Sequence, residues 1–413
     1  MSSKKIIVTV LCFFALAVTS VASAQDADIL HIVMSVTGDA YISRFSAPGN
    51  LSEESLLTAG SFVSSKDVID AGPDSQVVIL CANRVTDEIS NQVRSPKCSS
   101  KVSEPLVAWN NVEIYGQQRA ASDETVYVLN PRNTMVMTAQ PTIEWTPIAN
   151  AEARGITYRV TLYNTGDNSI VWEKDGITGT SLPYPEDEPP LAAVDPAERP
   201  LHYQFVVTPV VNNQELRNFD PMRPEGFCIV SARHRPAVEK AVGDLSNLKI
   251  PNGVTDEAKS FNLAVYYHGR RLYNDALNEL MKILPVPLNQ PFPPDKISAQ
   301  SIVGSPSYYI LLGNVLYAER LPLNQVEPAY DRAREIAQTL DDTAALATVD
   351  EQLADILRGR KPHITQDSDP DIYNYYESAI QFFKTLDDQS AVDRIGQKLD
   401  TQPQISTLDI CQS

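Results

Sequence analysis

The side chains best equipped for chemistry in this chain are its cysteines, its histidines and one aromatic–basic cluster. Five cysteines and five histidines occur among 413 residues. Cys81 and Cys98 are the nearest pair and flank one polar stretch, which makes them the candidate disulfide. With Cys228 and Cys411, and with Cys12 set aside in the leader, three connectivities are open. Closing the short Cys81–Cys98 loop would contribute about 3 kcal/mol by constraining the unfolded chain. A metal site would call for a CxxC pair or a nearby histidine, and neither accompanies these thiols. His31, His202, His234, His268 and His363 are scattered without ligand-like spacing.

Tyr266, Tyr267, Arg270 and Arg271 are the candidate partner-binding residues. Adjacent tyrosines cannot face the same way on a helix, so one of the two belongs to the core. Trp145 and Trp172 suit either a carbohydrate platform or a sandwich core, and the core is the commoner use. Glu186-Asp187-Glu188 could hold calcium, but alone among prolines it reads as a solvated loop. No phosphate-binding glycine loop, HExxH zinc motif or GxSxG elbow is present. We therefore assign no catalytic, cofactor-binding or metal-binding residue, and expect the chain not to be an enzyme.

The elements that must position these residues begin with a leader. Lys4 and Lys5 precede an apolar run from Ile6 to Ala17, and Ala22-Ser23-Ala24 offers a small-residue cleavage site. Residues 1–24 thus predict a signal peptide and an exported chain, periplasmic or extracellular. No later segment is apolar for long enough to span a bilayer, so the mature chain is expected to be soluble. Its length suggests roughly two to three domains. Acidic residues outnumber basic ones, 52 to 34, for a net charge of −18. That balance argues against nucleic acid and anionic membrane surfaces as partners.

Over residues 28–130 short β-rich runs recur, at Ile29–Val36, Asp39–Phe45, Val68–Ile69, Gln76–Cys81 and Val112–Tyr115. Gly38-Asp39, Gly49-Asn50 and Gly72-Pro73 punctuate them as turns. Val36-x-Gly38-x-Ala40-x-Ile42-x-Arg44 resembles the opening strands of a FecR-like domain. Leu57-x-Ala59-Gly60-x-x-Val63, then Asp67-x-Ile69-x-Ala71-Gly72, resembles that family's centre, and Ser75-x-Val77-Val78-x-Leu80 the strand after it. The family's regulatory members use a membrane helix and cytoplasmic tail that this chain lacks. The resemblance therefore implies a β module and not a signalling activity.

Over residues 131–232, Pro141-x-Ile143-x-Trp145 opens a second strand series. Tyr158-x-Val160-x-Leu162 and Ile170-Val171-Trp172 flank a turn-rich stretch and predict a hairpin, and Tyr203-x-Phe205-x-Val207 alternates again. The segment resembles an immunoglobulin- or fibronectin-type sandwich. Beyond Pro236 the period changes to that of helices. Thr255 is placed to cap a helix bearing Phe261, Val265 and His268 on one face, and Tyr273–Leu284 predicts a second. Leu263-Ala264-x-x-Tyr267, Ala276-x-x-x-Leu280 and Tyr309-x-x-Leu312-Gly313-x-x-Leu316 resemble tetratricopeptide repeats. Ala329-x-x-x-Ala333, Leu353-Ala354-x-x-Leu357 and Ala379-x-x-x-Phe383 extend the series over residues 236–402, leaving a tail at 403–413.

The expected fold class is thus multidomain, with an all-β N-terminal half and an all-α C-terminal solenoid. The expected role is an exported scaffold binding a protein partner through the helical groove. Two other roles fit the same modules. One is binding of cell-wall material or glycan by the β modules, and the other is an accessory sensor for extracytoplasmic signalling.

Overall fold

The computed structural model describes residues 30–47, 50–51, 54–99, 126–193, 203–216, 226–248, 255–283, 288, 300–359 and 369–400. The leader, Val112–Tyr115, His202, His363 and the tail with Cys411 lie outside these residues. Among the described residues, strands run from Leu30 to Ile229 and eight α-helices from Arg235 to Asp400.

The first β unit contains β1 (Leu30–Thr37), β2 (Ala40–Ser43), β3 (Phe45–Ala47), β4 (Asn50–Leu51), β5 (Ser55–Leu56), β6 (Phe62–Ser64), β7 (Val68–Leu80) and β8 (Thr86–Arg94). Its sheet runs β5–β2–β7–β1–β6, with β8 also on β7, and the pairings are antiparallel. Gly72-Pro73 is not the expected turn. It lies inside the 13-residue β7, where the register against β8 slips between Ala71 and Gln76. Such an irregularity is where a strand tolerates a residue with no N–H. At the β1–β2 turn Gly38 has φ +75°, and a Cβ there would stand 2.4 Å from Ser75 Oγ.

The runs Ile32-Val33-Met34 and Val77-Val78-Ile79-Leu80 are apolar throughout because both faces of the sheet are covered. Val33, Val77 and Ile79 point into a core with Ile42, Leu57, Ile69 and Ile89. Ile32, Met34, Val78 and Leu80 point the other way and join a core built mainly from helices.

The second β unit holds β9 (Val128–Asn130), β10 (Thr134–Val136), β11 (Thr142–Trp145), β12 (Thr157–Asn164), β13 (Ser169–Ile177), β14 (Ser181–Pro183), β15 (Tyr203–Val211), β16 (Gln214–Glu215) and β17 (Phe227–Ile229). One sheet runs β10–β17–β15–β12–β13 with β16 on β15, and a second runs β14–β11–β9. Residues of both sheets share one core, including Ile143, Trp145, Tyr158, Val160, Leu162, Trp172 and Phe205. Trp145 meets Tyr158 edge-on at 5.6 Å.

The helices are α1 (Arg235–Ser246), α2 (Asp256–Gly269), α3 (Tyr273–Ile283), α4 (Pro306–Ala318), α5 (Leu323–Thr339), α6 (Thr343–Arg358), α7 (Pro370–Thr385) and α8 (Gln389–Asp400). The Ala258 N–H donates to Thr255 Oγ1 at 3.3 Å, so Thr255 caps α2. Gly269 is the last residue of α2. Four helical turns instead carry a left-handed residue that is not glycine: Arg271 (φ +58°), Arg320 (φ +55°), Asp341 (φ +54°) and Asp387 (φ +55°). α4 is buried almost all round. α8 turns Ala391 and Ile395 inward and Gln389, Asp393 and Gln397 outward.

Candidate functional site

The helices meet the β units along two seams, and the sequence-derived cluster falls on them. At the first seam, Ile32, Met34, Phe62, Val78 and Leu80 pack with Phe261, Val265 and Tyr308 in one continuous core. Phe261 bridges the units, with its ring 6.1 Å from Phe62 and 6.3 Å from Tyr308. The apolar stripe of α2 is therefore taken up by the chain's own sheet rather than left open to a partner.

Tyr266 is 4% exposed and is the core member of the tyrosine pair. The guanidiniums of Arg84, from the β7–β8 turn, and Arg270 stand 5.7 and 5.6 Å from its ring centre. Tyr267 is half-buried; burial pushes its phenol up to about 12, with the negative charges of Asp275 and Glu279 adding to the shift. Arg270 remains partly exposed at the C-terminal end of α2. Arg271 is committed through its backbone, its carbonyl accepting the Met135 N–H at 2.9 Å. The four candidates are thus neighbours, but Tyr266 and Arg271 serve contacts within the chain.

The second seam was not visible as a motif. Helix ends leave N–H and C=O groups without partners in the helix. The tripeptide Arg132-Asn133-Thr134 supplies partners for two such ends. Thr134 Oγ1 accepts the N–H of Tyr273, at the start of α3, at 2.9 Å. Asn133 Nδ2 donates to the Ala318 carbonyl at 2.5 Å, and an Arg132 amino group to the Arg320 carbonyl at 2.8 Å. Met135, Cys228 and Val230 carry the helical core into this seam.

One serine–histidine pair also emerges. His31 is fully buried, and its Nε2 lies 2.8 Å from Ser65 Oγ. The Ala82 N–H donates to Nδ1 at 3.2 Å. Nδ1 therefore holds the lone pair, and the neutral ring carries its proton on Nε2 and donates it to Ser65. A general base needs the opposite polarity, with a bare nitrogen accepting from the hydroxyl. Ser65 passes its own proton to the Cys98 carbonyl at 3.4 Å. The pair braces the disulfide joining Cys81 and Cys98, whose sulfurs are 1.99 Å apart and whose Cα atoms are 5.4 Å apart. Burial holds the His31 imidazole below its usual value, against the opposing charges of Asp67 and Asp87. Cys228 is disulfide-bonded as well, with its partner outside the described residues.

Trp145 and Trp172 are both buried in the sandwich core, so neither offers an exposed platform. Glu186 and Asp187 are exposed, with Glu188 partly so. His234 sits against Ser231 at the start of α1, its Nδ1 3.0 Å from Ser231 Oγ. Among the described residues no group of three potential metal ligands converges, and no helix is long and apolar enough to cross a membrane.

A network of charged side chains is centred on α6. Glu351, 7% exposed, accepts two hydrogen bonds from Arg394 at 3.0 and 2.7 Å and one from Lys398 at 2.7 Å. Lys398 also reaches Asp355 at 2.6 Å, and Tyr376 donates to Asp355 at 2.7 Å. Asp350 is held by Arg334 and Ser378. These carboxylates are answered within the chain and fix α7 and α8 against α6.

No protein-family model matches the sequence, and no curated protein matches it.

Proposed function

We propose that this chain is an exported, non-enzymatic scaffold or adaptor that binds a protein partner through its helical unit. In this reading residues 28–130 form a FecR-like β domain, residues 131–232 an immunoglobulin- or fibronectin-like sandwich, and residues 236–402 tetratricopeptide-like repeats. The observation that carries it is the single core that runs from Ile32 and Met34 through Phe261 and Tyr308 to Met135 and Cys228. It makes the β units a mount that holds the helices in one orientation. Four short helix–helix turns, each made by a left-handed residue, favour a repeat architecture. With the stripe of α2 occupied, partner contacts fall to Tyr267, Arg270 and the outward sides of α5 to α8.

Crosslinking of the full chain in its native cells, read by mass spectrometry, tests this. Recurrent crosslinks from Lys259 or Lys282 to one protein are the expected result. Crosslinks confined to the chain itself, together with co-sedimentation with cell-wall material, would overturn it.

A further inference from the structure

Glu319 follows α4 at the second seam and is 2% exposed. Its Oε1 meets no hydrogen-bond donor among the described residues. A buried carboxylate without donors is costly, whereas its protonated form is not. Two charged groups act on it. From the β9–β10 turn comes Arg132, which directs N–H groups to the carbonyls of Val128 and Arg320. From α3 comes Asp275, whose charge acts on Glu319, while that of Glu279 acts on Asp275. On α2, Tyr267 feels the charges of Asp275 and Glu279, and the His268 ring packs 5.6 Å from Tyr273 at the start of α3. Arg320 is the next residue along the chain.

We propose that the seam between the second β unit and the helices is held by protons: closed while Glu319 carries one, and loosened when Glu319 and Asp275 are both ionised. Two negative charges would then repel each other beside the carbonyl end of α4, with the Arg132 guanidinium opposing them at Glu319. The clamp made by Arg132, Asn133 and Thr134 is the element that yields.

The electrostatics supply the pH window. Burial pushes the Glu319 carboxyl up to about 8, Arg132 pulling it down and Asp275 raising it further. Burial pushes Asp275 up to about 6, with Glu279 adding to the shift. Both raised values mean that the folded state holds protons which the unfolded state releases. Their contribution is complete below the ordinary carboxylate range and is lost as pH rises through 6 and then 8. His268, pushed down to about 4 by burial, and Tyr267, up to about 12, stay neutral across this window.

Amide hydrogen exchange on the full chain tests the proposal, with each rate divided by its intrinsic rate at the same pH. The N–H groups of Met135 and Tyr273 donate across the seam and report on it. Their protection should fall by at least about tenfold between pH 6 and pH 9, while that of Val160 in the sandwich core holds. Glu319→Gln should remove the fall. Constant protection in the wild type, or a fall in Glu319→Gln equal to that of the wild type, would overturn the proposal. Should Glu319→Gln not fold, Asp275→Asn decides: with one of the two charges gone the fall in protection must shrink, and a fall equal to that of the wild type overturns the proposal.

Discussion

The ring of Tyr330 on α5 occupies the space that a side chain on Gly313 of α4 would need. A Cβ at Gly313 would stand 2.6 Å from Tyr330 Cε2, and Tyr330 Oη is fixed by a 2.5 Å hydrogen bond to Asn314. Glycine in a helix normally gives way to alanine with a gain of about 1 kcal/mol. Here the sign reverses. Gly313→Ala is expected to destabilise the chain by about 1–3 kcal/mol through overpacking. Urea unfolding measures it, and an unchanged or raised midpoint would refute the close approach.

Glu351 holds α8 to α6. Burial alone would raise its carboxyl, but the hydrogen bond from Arg394 and the charge of Lys398 outweigh burial and hold it below its ordinary value. Its contribution is therefore present above the ordinary carboxylate range and is lost as pH falls through the depressed value. Glu351→Gln should cost about 1–3 kcal/mol, less than the ~3–5 kcal/mol of breaking a fully buried pair, because the Arg394 side chain is 46% exposed. Amide exchange should place the loss in α8. Unaltered protection there would count against the network.

Thr134 acts as an N-cap for a helix that lies far along the chain. Thr134→Val removes the acceptor and keeps the shape, and should cost about 1 kcal/mol, with the faster exchange centred on Tyr273. Thr134→Ser should retain most of the cap. Equal effects of the two variants would mean that the hydroxyl is immaterial.

His31 is stable in its neutral form, because protonation would remove the acceptor used by Ala82. Its contribution is complete above about pH 6.5 and is lost as pH falls toward the lowered folded value. Thermal melts at pH 7.5 and pH 5 should show a larger drop in Tm for the wild type than for His31→Gln. Parallel curves would show that His31 does not titrate with unfolding.

Much of the secondary structure could be read from local pattern. The Thr255 cap, the β12–β13 hairpin and the span of α3 follow from residues within one turn or one strand pair. What escaped was non-local or broke a habit. β8 carries one buried residue, Ile89, among nine, so it offers almost no apolar alternation to detect. Arg271 and Asp387 take a backbone conformation that sequence reading assigns to glycine. The polarity of the His31–Ser65 pair depends on Ala82, 51 residues from His31. Helical periodicity shows that α2 has an apolar face, but not that Met34 and Phe62 cover it.

The caps that Asn133 and Arg132 provide reach carbonyls 185 and 188 residues further along the chain. Translation delivers the capping groups first and the carbonyls much later, so the order of synthesis matters to this seam. The second β unit can be complete and waiting when α4 emerges, and the nascent helix then docks on a template already in place. A chain stopped before Ala318 would present that template with nothing to bind.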